Sequence, residues 1–384
     1  AFQLAISEVR VEVSASEPNI VDPVSFTWDE DGRMYVAEMR DYPEGPAGGT
    51  VRRLVDSDRD GTYESATVFA EGLPFPTSVL RWNGGIVVAA APDLLYLKDT
   101  DDDGVADERR VLFSGFGQGL PQHQVNGLYC GVDLWVYASN GGSDGSVTVP
   151  GGSASAVAIT QSDFRLRPDT GALETVLGFS QNGSSVTVWG DRLVSRSMSP
   201  FRQAFAEVGS GTPAAEAMQR AQDVAILERF DSGRIWPVSL PQQRFSQDPT
   251  DHFNAACGLL VYNGDALPAY SGNAFVCEPV SNLVHRRVLT RKGALLRAER
   301  GESGVDFLAS SNPWFRPVGL ATGPDGALYI VDFSRQYIEH PSAVPEDVRA
   351  TIDWRAGDDL GRIWRVRMKN ADDSEHAPSS LSNA

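Results

Sequence analysis

One arrangement of hydrophobic and polar positions recurs along the chain: a polar loop, a short apolar strand, a turn that often contains Asp-Gly or Asn-Gly, and a second apolar strand. Clear copies begin at Asp22 (DPVSFTWDEDGRMYVAEMRDYP) and at Arg316 (RPVGLATGPDGALYIVDFSRQY). Weaker copies begin at Pro76, Gln124, Ser184 and Ala255. Such pairs of runs are typical of β-hairpins. The copies recur at roughly fifty residues, which is the period of a propeller blade. The pattern therefore predicts an all-β fold, a six-bladed β-propeller.

The rest of the chain fits one such domain over residues 1–368. Further strand-like runs between the copies predict the outer strands of the blades. Residues 361–366 (GRIWRV) predict a closing strand that pairs with residues 10–14. A helical pattern, AEAMQRAQDVAILE, lies between positions 202 and 228 and predicts a short helical insertion. Residues 369–384 are polar and predict a disordered tail or a linker.

Composition narrows the range of partners and compartments. The formal net charge of -18 argues against nucleic acid and against an anionic membrane surface. No apolar run approaches the roughly 20 residues of a membrane span. The chain begins without an initiator Met or a leader, so we expect a mature or trimmed product. The calcium-loop patterns described below favour a compartment where calcium is plentiful, so we expect a periplasmic or secreted protein. Of three cysteines, we expect Cys257 and Cys277 to form a disulfide and Cys130 to be a buried apolar residue.

Two acidic loops have the pattern of calcium-binding loops. In each, carboxylates at alternate positions converge on one point, and a glycine, Gly104 or Gly61, allows the sharp turn. The expected ligands of the first loop are Asp99, Asp101, Asp103, Asp107 and the carbonyl of Val105. Those of the second are Asp56, Asp58, Asp60, Glu64 and the carbonyl of Thr62. The alternative is a merely solvated acidic turn. We predict two structural Ca²⁺ sites that stabilise hairpins and take no part in catalysis.

Polar side chains from every blade are expected to converge on one face. The loop that enters the first strand of a blade and the loop that leaves the second emerge at the same end, because the two strands are antiparallel neighbours. The entering loops carry Asp22, Thr77, His123, Asn126, Asn182, His252, Asn254 and Arg316; the leaving loops carry Glu38, Arg40, Asp41, Asp93, Asn140, Arg196, Glu278, Asn282, Asp332 and Arg335. This face is where we expect the functional site.

Within that face, His123 is the candidate general base and Asn126 is its neighbour, although most histidines beside turns are structural. Arg40, Arg316 and Arg335 are candidate clamps for an anion or a quinone, because a guanidinium grips a carboxylate with two parallel hydrogen bonds. They could instead pair with nearby acids. The remaining candidate ligand-binding residues are Asp332 and His252.

Several motifs resemble a known family. WDEDGRMYVAEMRDYP, the DxDxDGxAD loop, QHQVNGL, ACGLLVYNGDALP, SNPWFRPVGLATGPDGALYIVDF and DLGRIWRV are similar to the propeller domain of the membrane-bound-dehydrogenase-like proteins of planctomycetes and verrucomicrobia. These proteins are related to quinoprotein glucose/sorbosone dehydrogenases, and the resemblance covers residues 8–367.

The resemblance implies a function for several residues. His123 would abstract the proton of a sugar hydroxyl while hydride passes to pyrroloquinoline quinone (PQQ), with Asn126 beside it and Arg316 as a clamp. Electrons would then go to a separate carrier such as a cytochrome c. The converging loops lack an obvious cofactor lysine.

Three functions follow from these observations. The first is a quinoprotein-like sugar dehydrogenase that oxidises a carbohydrate hydroxyl. The second is a lyase or other enzyme acting on an acidic polysaccharide, in which His123 or His252 removes the proton α to a uronate carboxylate and an arginine neutralises that carboxylate. The third is a non-catalytic propeller that binds carbohydrate or protein.

Overall fold

Six antiparallel sheets are arranged as blades around one axis, as the repeat predicts. The computed structural model describes residues 1–45, 48–204, 223–227, 233–239 and 249–369. Blade 1 contains β3 (Pro23–Trp28), β4 (Met34–Glu38), β5 (Gly49–Val55) and β6 (Ser65–Leu73). Blade 2 contains β7 (Ser78–Trp82), β8 (Gly85–Ala90), β9 (Asp93–Lys98) and β10 (Glu108–Phe116), extended by β13 (Gly145–Thr148) and β14 (Val157–Ala158). Blade 3 contains β11 (Asn126–Cys130), β12 (Val136–Ser139), β15 (Asp163–Arg167) and β16 (Ala172–Val176).

The second half of the ring follows the same plan. Blade 4 contains β17 (Ser184–Val186), β18 (Arg192–Arg196), β19 (Ser199–Ala204) and β20 (Asp223–Ala225). Blade 5 contains β21 (Cys257–Val261), β22 (Ala274–Glu278), β23 (Leu283–Lys292), β24 (Leu295–Arg300), β25 (Leu308–Ser310) and β1 (Phe2–Leu4). Blade 6 contains β26 (Pro317–Thr322), β27 (Leu328–Asp332), β28 (Arg362–Met368) and β2 (Val9–Ser16).

The two ends of the chain close the ring within blade 6. β2 is the outermost strand of that blade and pairs antiparallel with β28, with Val11 opposite Val366 and Val13 opposite Trp364. The predicted pairing of the closing strand with the N-terminal segment is therefore confirmed. Because one blade combines both ends of the chain, the ring cannot open without breaking a sheet.

The second strand of each blade supplies much of the core. All five residues of β4, β22 and β27 are buried. Each of these strands is covered on both faces by neighbouring blades, which explains why the sequences MYVAE, AFVCE and LYIVD are nearly continuous apolar runs rather than alternating ones.

The first strand of each blade faces the axis, and small polar side chains join these strands to one another. Such a strand is the edge of its sheet and leaves backbone N–H groups unpaired. Three serines on first strands accept hydrogen bonds from backbone N–H groups of the neighbouring blade. The pairs are Ser25 with Val79 (3.2 Å), Ser78 with Leu128 (3.0 Å) and Ser185 with Val261 (2.9 Å).

The predicted helical insertion is wrong in its last part. Asp223–Ala225 forms β20 and pairs with β19, because backbone pairing at a sheet edge overrides a weak helix propensity. Residues 205–222, where the helical pattern begins, and the tail 370–384 lie outside the described residues. In the described part of the chain the α-helical segment is Glu346–Arg349, and no helix there is long and apolar enough to cross a membrane.

The predicted disulfide is absent. Cys257 and Cys277 are directly opposite each other in β21 and β22, but both are free thiols. Burial raises the pKa of both thiols, so the thiolate needed for oxidation is disfavoured. Cys130 was expected to be buried but is exposed, because it ends β11 beside a surface turn.

Candidate functional site

A cavity of about 850 Å³ lies on the axis of the propeller. Residues from the first strands of all six blades line it. The first strands run away from the end that carries the entering and leaving loops, so those loops surround one opening of the cavity, which we call the mouth. The expected convergence of these loops on one face therefore agrees with the topology.

His123 lines this cavity near its mouth. It ends a short 3₁₀ helix, Pro121–His123, directly before β11. Its Nε2 lies 3.0 Å from Nε2 of Gln181, and Oε1 of Gln181 accepts a hydrogen bond from Oγ of Ser197 at 2.8 Å. The Ser197 contact orients the amide so that its NH₂ group donates to His123. The neutral imidazole then carries its proton on Nδ1, which has no partner among the described residues.

Burial lowers the pKa of His123, because its half-buried ring is less well solvated when charged. The donor on Gln181 favours the same neutral form, since it bonds to the lone pair that protonation would occupy. The imidazole is therefore neutral at physiological pH.

Asn126 also lines the cavity, but its side chain is fully used by the protein. Its Nδ2 donates to the carbonyls of Gln124 and Gln181, each at 2.9 Å, and its Oδ1 accepts from the N–H of Gly183 at 2.9 Å. These bonds join the entering loops of blades 3 and 4. Asn126 therefore positions the His123–Gln181 pair instead of contacting a ligand directly.

Other amides also lie at the mouth: Asn182 and Asn254 were expected on this face, whereas Gln122 was not. The Asn182 amide, in the orientation that satisfies both of its polar atoms, donates to the carbonyls of Gln122 and Gln181. Oε1 of Gln122 and Nδ2 of Asn254 are buried without a partner in the described structure. A signal for this group was available, because QHQVNG at 122–127 and SQNG at 180–183 are copies of one loop pattern.

One segment of blade 6 adds ionisable groups to the mouth. Glu339 and His340 line the cavity, and the neighbouring carbonyl of Ile338 accepts a hydrogen bond from Oη of Tyr42 at 2.5 Å. Nδ1 of His340 accepts from the N–H of Ser342 at 3.2 Å, so its proton is on Nε2. The sequence indicated none of these residues as site residues.

Arg316 and Asp332 were expected at the site, but the structure uses both to hold loops together. The buried guanidinium of Arg316 donates to the carbonyls of Arg335 and Pro279, both at 2.9 Å. Asp332 accepts from Nε1 of Trp364 at 3.0 Å and from the backbone N–H of Arg316 at 2.8 Å. Neither residue lines the axial cavity.

The other expected ligand-binding residues also lie elsewhere. Arg335 is completely buried in an ion pair with Asp22. Arg40 lines a separate surface cavity. His252 bonds to the adjacent Asp251 at 2.9 Å and is not part of the axial cavity. These residues share the face of the propeller with His123 but do not meet it.

One hydrogen bond recurs in three blades and explains why the carboxylates there are unavailable to a ligand. In three blades the acid that ends the second strand accepts a hydrogen bond from a backbone N–H of the loop that enters the first strand. The pairs are Glu38 with Val21 (2.7 Å), Glu278 with Asn254 (2.8 Å) and Asp332 with Arg316 (2.8 Å). A carboxylate in this position satisfies N–H groups that a tight loop would otherwise bury unpaired.

The two acidic loops lie at the opposite face, in the hairpins β5–β6 and β9–β10 of blades 1 and 2. Within each loop, one group of acidic side chains has carboxylate oxygens that all lie within 4.8 Å of one another. The groups are Asp56, Asp58, Asp60 and Glu64, and Asp99, Asp101 and Asp107. Asp103 was expected as a ligand but lies outside its group; its Oδ1 accepts a hydrogen bond from the N–H of Val105 at 2.8 Å.

Each acidic loop packs against an arginine of the preceding blade at its glycine. Gly61 and Gly104 have φ of 92° and 96°, a conformation that L side chains rarely adopt. A Cβ added to Gly61 would lie 2.3 Å from the guanidinium of Arg365, and one added to Gly104 would lie 2.6 Å from that of Arg53. The glycine that the sequence assigned to the turn also leaves room for a guanidinium group of the preceding blade.

These features define a six-bladed β-propeller whose axial cavity opens among the loops that enter and leave the blades, with a neutral histidine at the mouth. The chain belongs to the family described as a domain of unknown function, DUF7133, which matches residues 3–370. A search of curated proteins gives no match.

Solved structures with the same fold include several enzymes. A luciferin-regenerating enzyme matches with a TM-score of 0.55 at 10% identity, covering 94% of this chain and 96% of that one. The apo-form of a soluble aldose sugar dehydrogenase from Escherichia coli matches with a TM-score of 0.50 at 13% identity, covering 94% and 100%. A PQQ-bound aldose sugar dehydrogenase from Streptomyces coelicolor matches with a TM-score of 0.49 at 14% identity, covering 94% and 99%.

At these identities the likeness shows a shared propeller fold and nothing about chemistry. The fold implied by the family resemblance is thus confirmed. The resemblance to the membrane-bound-dehydrogenase-like proteins stays a prediction, since none of these matches names them.

Proposed function

We propose that the chain binds an uncharged carbohydrate at the mouth of the axial cavity, with His123 as its central polar contact. The observation that carries this proposal is the environment of His123: a half-buried neutral imidazole, held by Gln181, among amide side chains that keep unpaired polar atoms. Amides and a neutral imidazole can both donate to and accept from sugar hydroxyls.

The charge of the lining favours an uncharged ligand. Among the described residues that line the cavity there is no lysine or arginine, and the only acid is Glu339. A carboxylate ligand would be desolvated there without a counter-charge, which is costly. Uronates are therefore poor candidates, and the lyase alternative loses the arginine that its mechanism needs.

The described residues do not fit PQQ. This cofactor carries several carboxylates, whereas the expected clamps Arg316 and Arg335 are engaged within the protein and Arg40 lines another cavity. We therefore assign no step to that group.

Calorimetric titration with a panel of neutral mono- and oligosaccharides, beside the matching uronic acids, tests the proposal. We expect binding of at least one neutral sugar that the His123→Ala variant loses, with weaker binding of the corresponding uronate. The His252→Ala variant is the matched control and should bind normally, since His252 lies outside the cavity. Preferential binding of uronates, or neutral-sugar binding that His123→Ala leaves intact, would contradict the proposal.

A second candidate function is oxidation of the bound sugar hydroxyl, as in the aldose sugar dehydrogenase that shares the fold. The lowered pKa of His123 favours it, because an imidazole that stays neutral can accept a proton. The Gln181 amide would have to leave Nε2 first. The hydride from the sugar carbon would have to pass to an added two-electron acceptor, either PQQ or the dye itself, and in the cell the electrons would go on to a separate carrier such as a cytochrome c. Dye reduction with each sugar, with and without added PQQ, tests this function. Sugar binding without dye reduction would rule it out.

We also propose that the two acidic loops bind Ca²⁺ as structural sites, in a periplasmic or extracellular compartment where this ion is plentiful. The converging oxygen ligands support this proposal, since Ca²⁺ prefers six or more oxygens from carboxylates, carbonyls and water. Their position on the face opposite the mouth agrees with a structural role.

A further inference from the structure

We propose that the axial cavity below the mouth receives an apolar group joined to the sugar, so that the ligand is an uncharged glycoside with an apolar aglycone. This inference rests on the proposed function, because the sugar is assigned to the mouth. It goes beyond it by naming the class of ligand.

The walls below the mouth are apolar and are not filled by the protein. Successive first strands present Val24, Val186, Leu260, Val318 and Leu320 along the cavity. Each of these residues is only partly buried, although the strands that carry them lie at the centre of the molecule. The apolar surface that they keep exposed therefore faces the cavity or its openings. An internal surface of this kind favours a ligand that removes it from water.

Polar groups at the mouth are followed by aliphatic side chains along the first strands. His123, Gln122, Gln181 and Asn182 lie in entering loops, whereas Leu260 and Leu320, farther along the first strands, are aliphatic; Asn263 and Thr322 are polar and lie beyond them at the far end. Because the strands run away from the mouth, this order in the sequence is also an order in depth. A ligand that matches it has hydroxyl groups at the mouth and hydrocarbon directly below them, along the first strands.

The dimensions exceed what a single sugar ring requires. The cavity volume of about 850 Å³ is large for a small-molecule site. Strands of five or six residues, such as β21 and β26, extend for roughly 17–20 Å. A ring held by His123 at the mouth would leave most of this length free for the aglycone.

Burial of hydrocarbon gives a quantitative expectation. Transfer of one CH₂ group from water to an apolar site corresponds to about a fourfold gain in affinity. Affinity should therefore rise steadily with aglycone length until the chain reaches the far end of the cavity.

The experiment is a titration with n-alkyl β-glucosides, β-galactosides and β-mannosides from methyl to octyl, below their micellar concentrations, with 1-octanol as the probe that lacks a sugar. We expect roughly fourfold tighter binding per added methylene in at least one sugar series. The Leu320→Asn variant should flatten this dependence, with a greater loss of affinity for the octyl than for the methyl glycoside. Val318→Thr, which hardly changes the shape of the side chain, should also reduce the gain in affinity per methylene. Val111→Thr, on an outer strand, is its matched control and should leave that gain unchanged.

The outcomes separate the two proposals. Equal affinity for methyl and octyl glycosides would overturn this inference and leave the sugar site standing. Binding of 1-octanol as tight as that of every octyl glycoside, with no binding of methyl glycosides, would overturn the proposed function and leave the apolar cavity. A chain-length dependence unchanged in both Leu320→Asn and Val318→Thr would show that the alkyl group binds elsewhere and would overturn the inference.

Discussion

The carboxylate of Asp22 and the guanidinium of Arg335 form a bidentate ion pair, with oxygen–nitrogen distances of 2.6 and 2.7 Å. Both side chains are completely buried. Asp22 precedes the first strand of blade 1 and Arg335 follows the second strand of blade 6, so the pair joins the first and last blades. Parallel hydrogen bonds of this kind are the strongest that arginine makes, which explains why Arg335 is unavailable to a ligand.

The first prediction concerns that pair. Arg335→Ala leaves the Asp22 carboxylate buried without a counter-charge and should lower the free energy of unfolding by about 3–5 kcal/mol. Urea denaturation followed by tryptophan fluorescence measures this loss. Arg40→Ala, which removes a more exposed arginine, should change stability by less than about 0.5 kcal/mol. An Arg335→Ala protein with normal stability and impaired sugar binding would contradict the structural role.

The second prediction concerns the pH dependence of His123. Its pKa is lowered by burial, so below the ordinary value near 6.5 the unfolded chain binds a proton more readily than the folded one. This histidine therefore costs no stability above that pH and destabilises the fold as pH falls through 6.5. Sugar binding should persist at pH 6.5 and be lost only at lower pH, when the folded imidazole becomes charged.

NMR titration of the imidazole signals, beside binding measured over the same pH range, checks this order. The His123→Gln variant keeps a polar side chain without a proton equilibrium, and its binding should vary less with pH than that of the unchanged protein. A His123 signal that titrates above pH 6.5 would be inconsistent with the burial argument.

The third prediction separates His123 from its partner. Gln181→Glu places a carboxylate where an amide now donates to Nε2 of His123, and it should raise the pKa of His123, because a nearby negative charge favours the imidazolium form. NMR titration gives the shift directly. Gln3→Glu, which makes the same charge change on an outer strand of blade 5, should leave the pKa of His123 unaltered. Equal shifts in the two variants would mean that the Gln181 contact has no specific role.

The fourth prediction tests the acidic loops. Removal of Ca²⁺ with a chelator should lower the midpoint of thermal unfolding; at a Ca²⁺ concentration one hundred times Kd, one site contributes about 2.7 kcal/mol. Asp58→Asn and Asp101→Asn should each remove part of the effect, and the double variant should remove most of it. Differential scanning calorimetry with and without Ca²⁺ measures the change. A midpoint that does not depend on Ca²⁺ would refute both sites.

The fifth prediction concerns the thiols. Since Cys130 is exposed and Cys277 is buried, a maleimide should modify Cys130 in the native protein and Cys277 only after unfolding. Mass spectrometry of labelled peptides identifies the sites. A reducing agent should leave the unfolding midpoint unchanged, because Cys257 and Cys277 are not bonded. A lower unfolding midpoint under reducing conditions would show that the two cysteines do form a disulfide.

Local chemistry made part of this protein predictable from the sequence. The alternation of apolar residues and the Asp-Gly turns depend on neighbours in the chain, and they indicated the blades and the pairing of the chain ends. Gly61 and Gly104 were assigned to tight turns from spacing alone, and both have positive φ. His123 was found because its loop enters a first strand, and it does line the axial cavity.

Only the tertiary structure decided which polar side chains are free. Arg316, Arg335 and Asp332 are on the expected face, but each is bound by groups distant in sequence, such as Asp22 for Arg335 and Pro279 for Arg316. The sequence does not reveal such partners, because a buried charge is matched by whichever group the fold brings within hydrogen-bond distance. For the same reason the contact between Gln181 and His123, which fixes the tautomer of the imidazole, depends on the packing of blade 4 against blade 3.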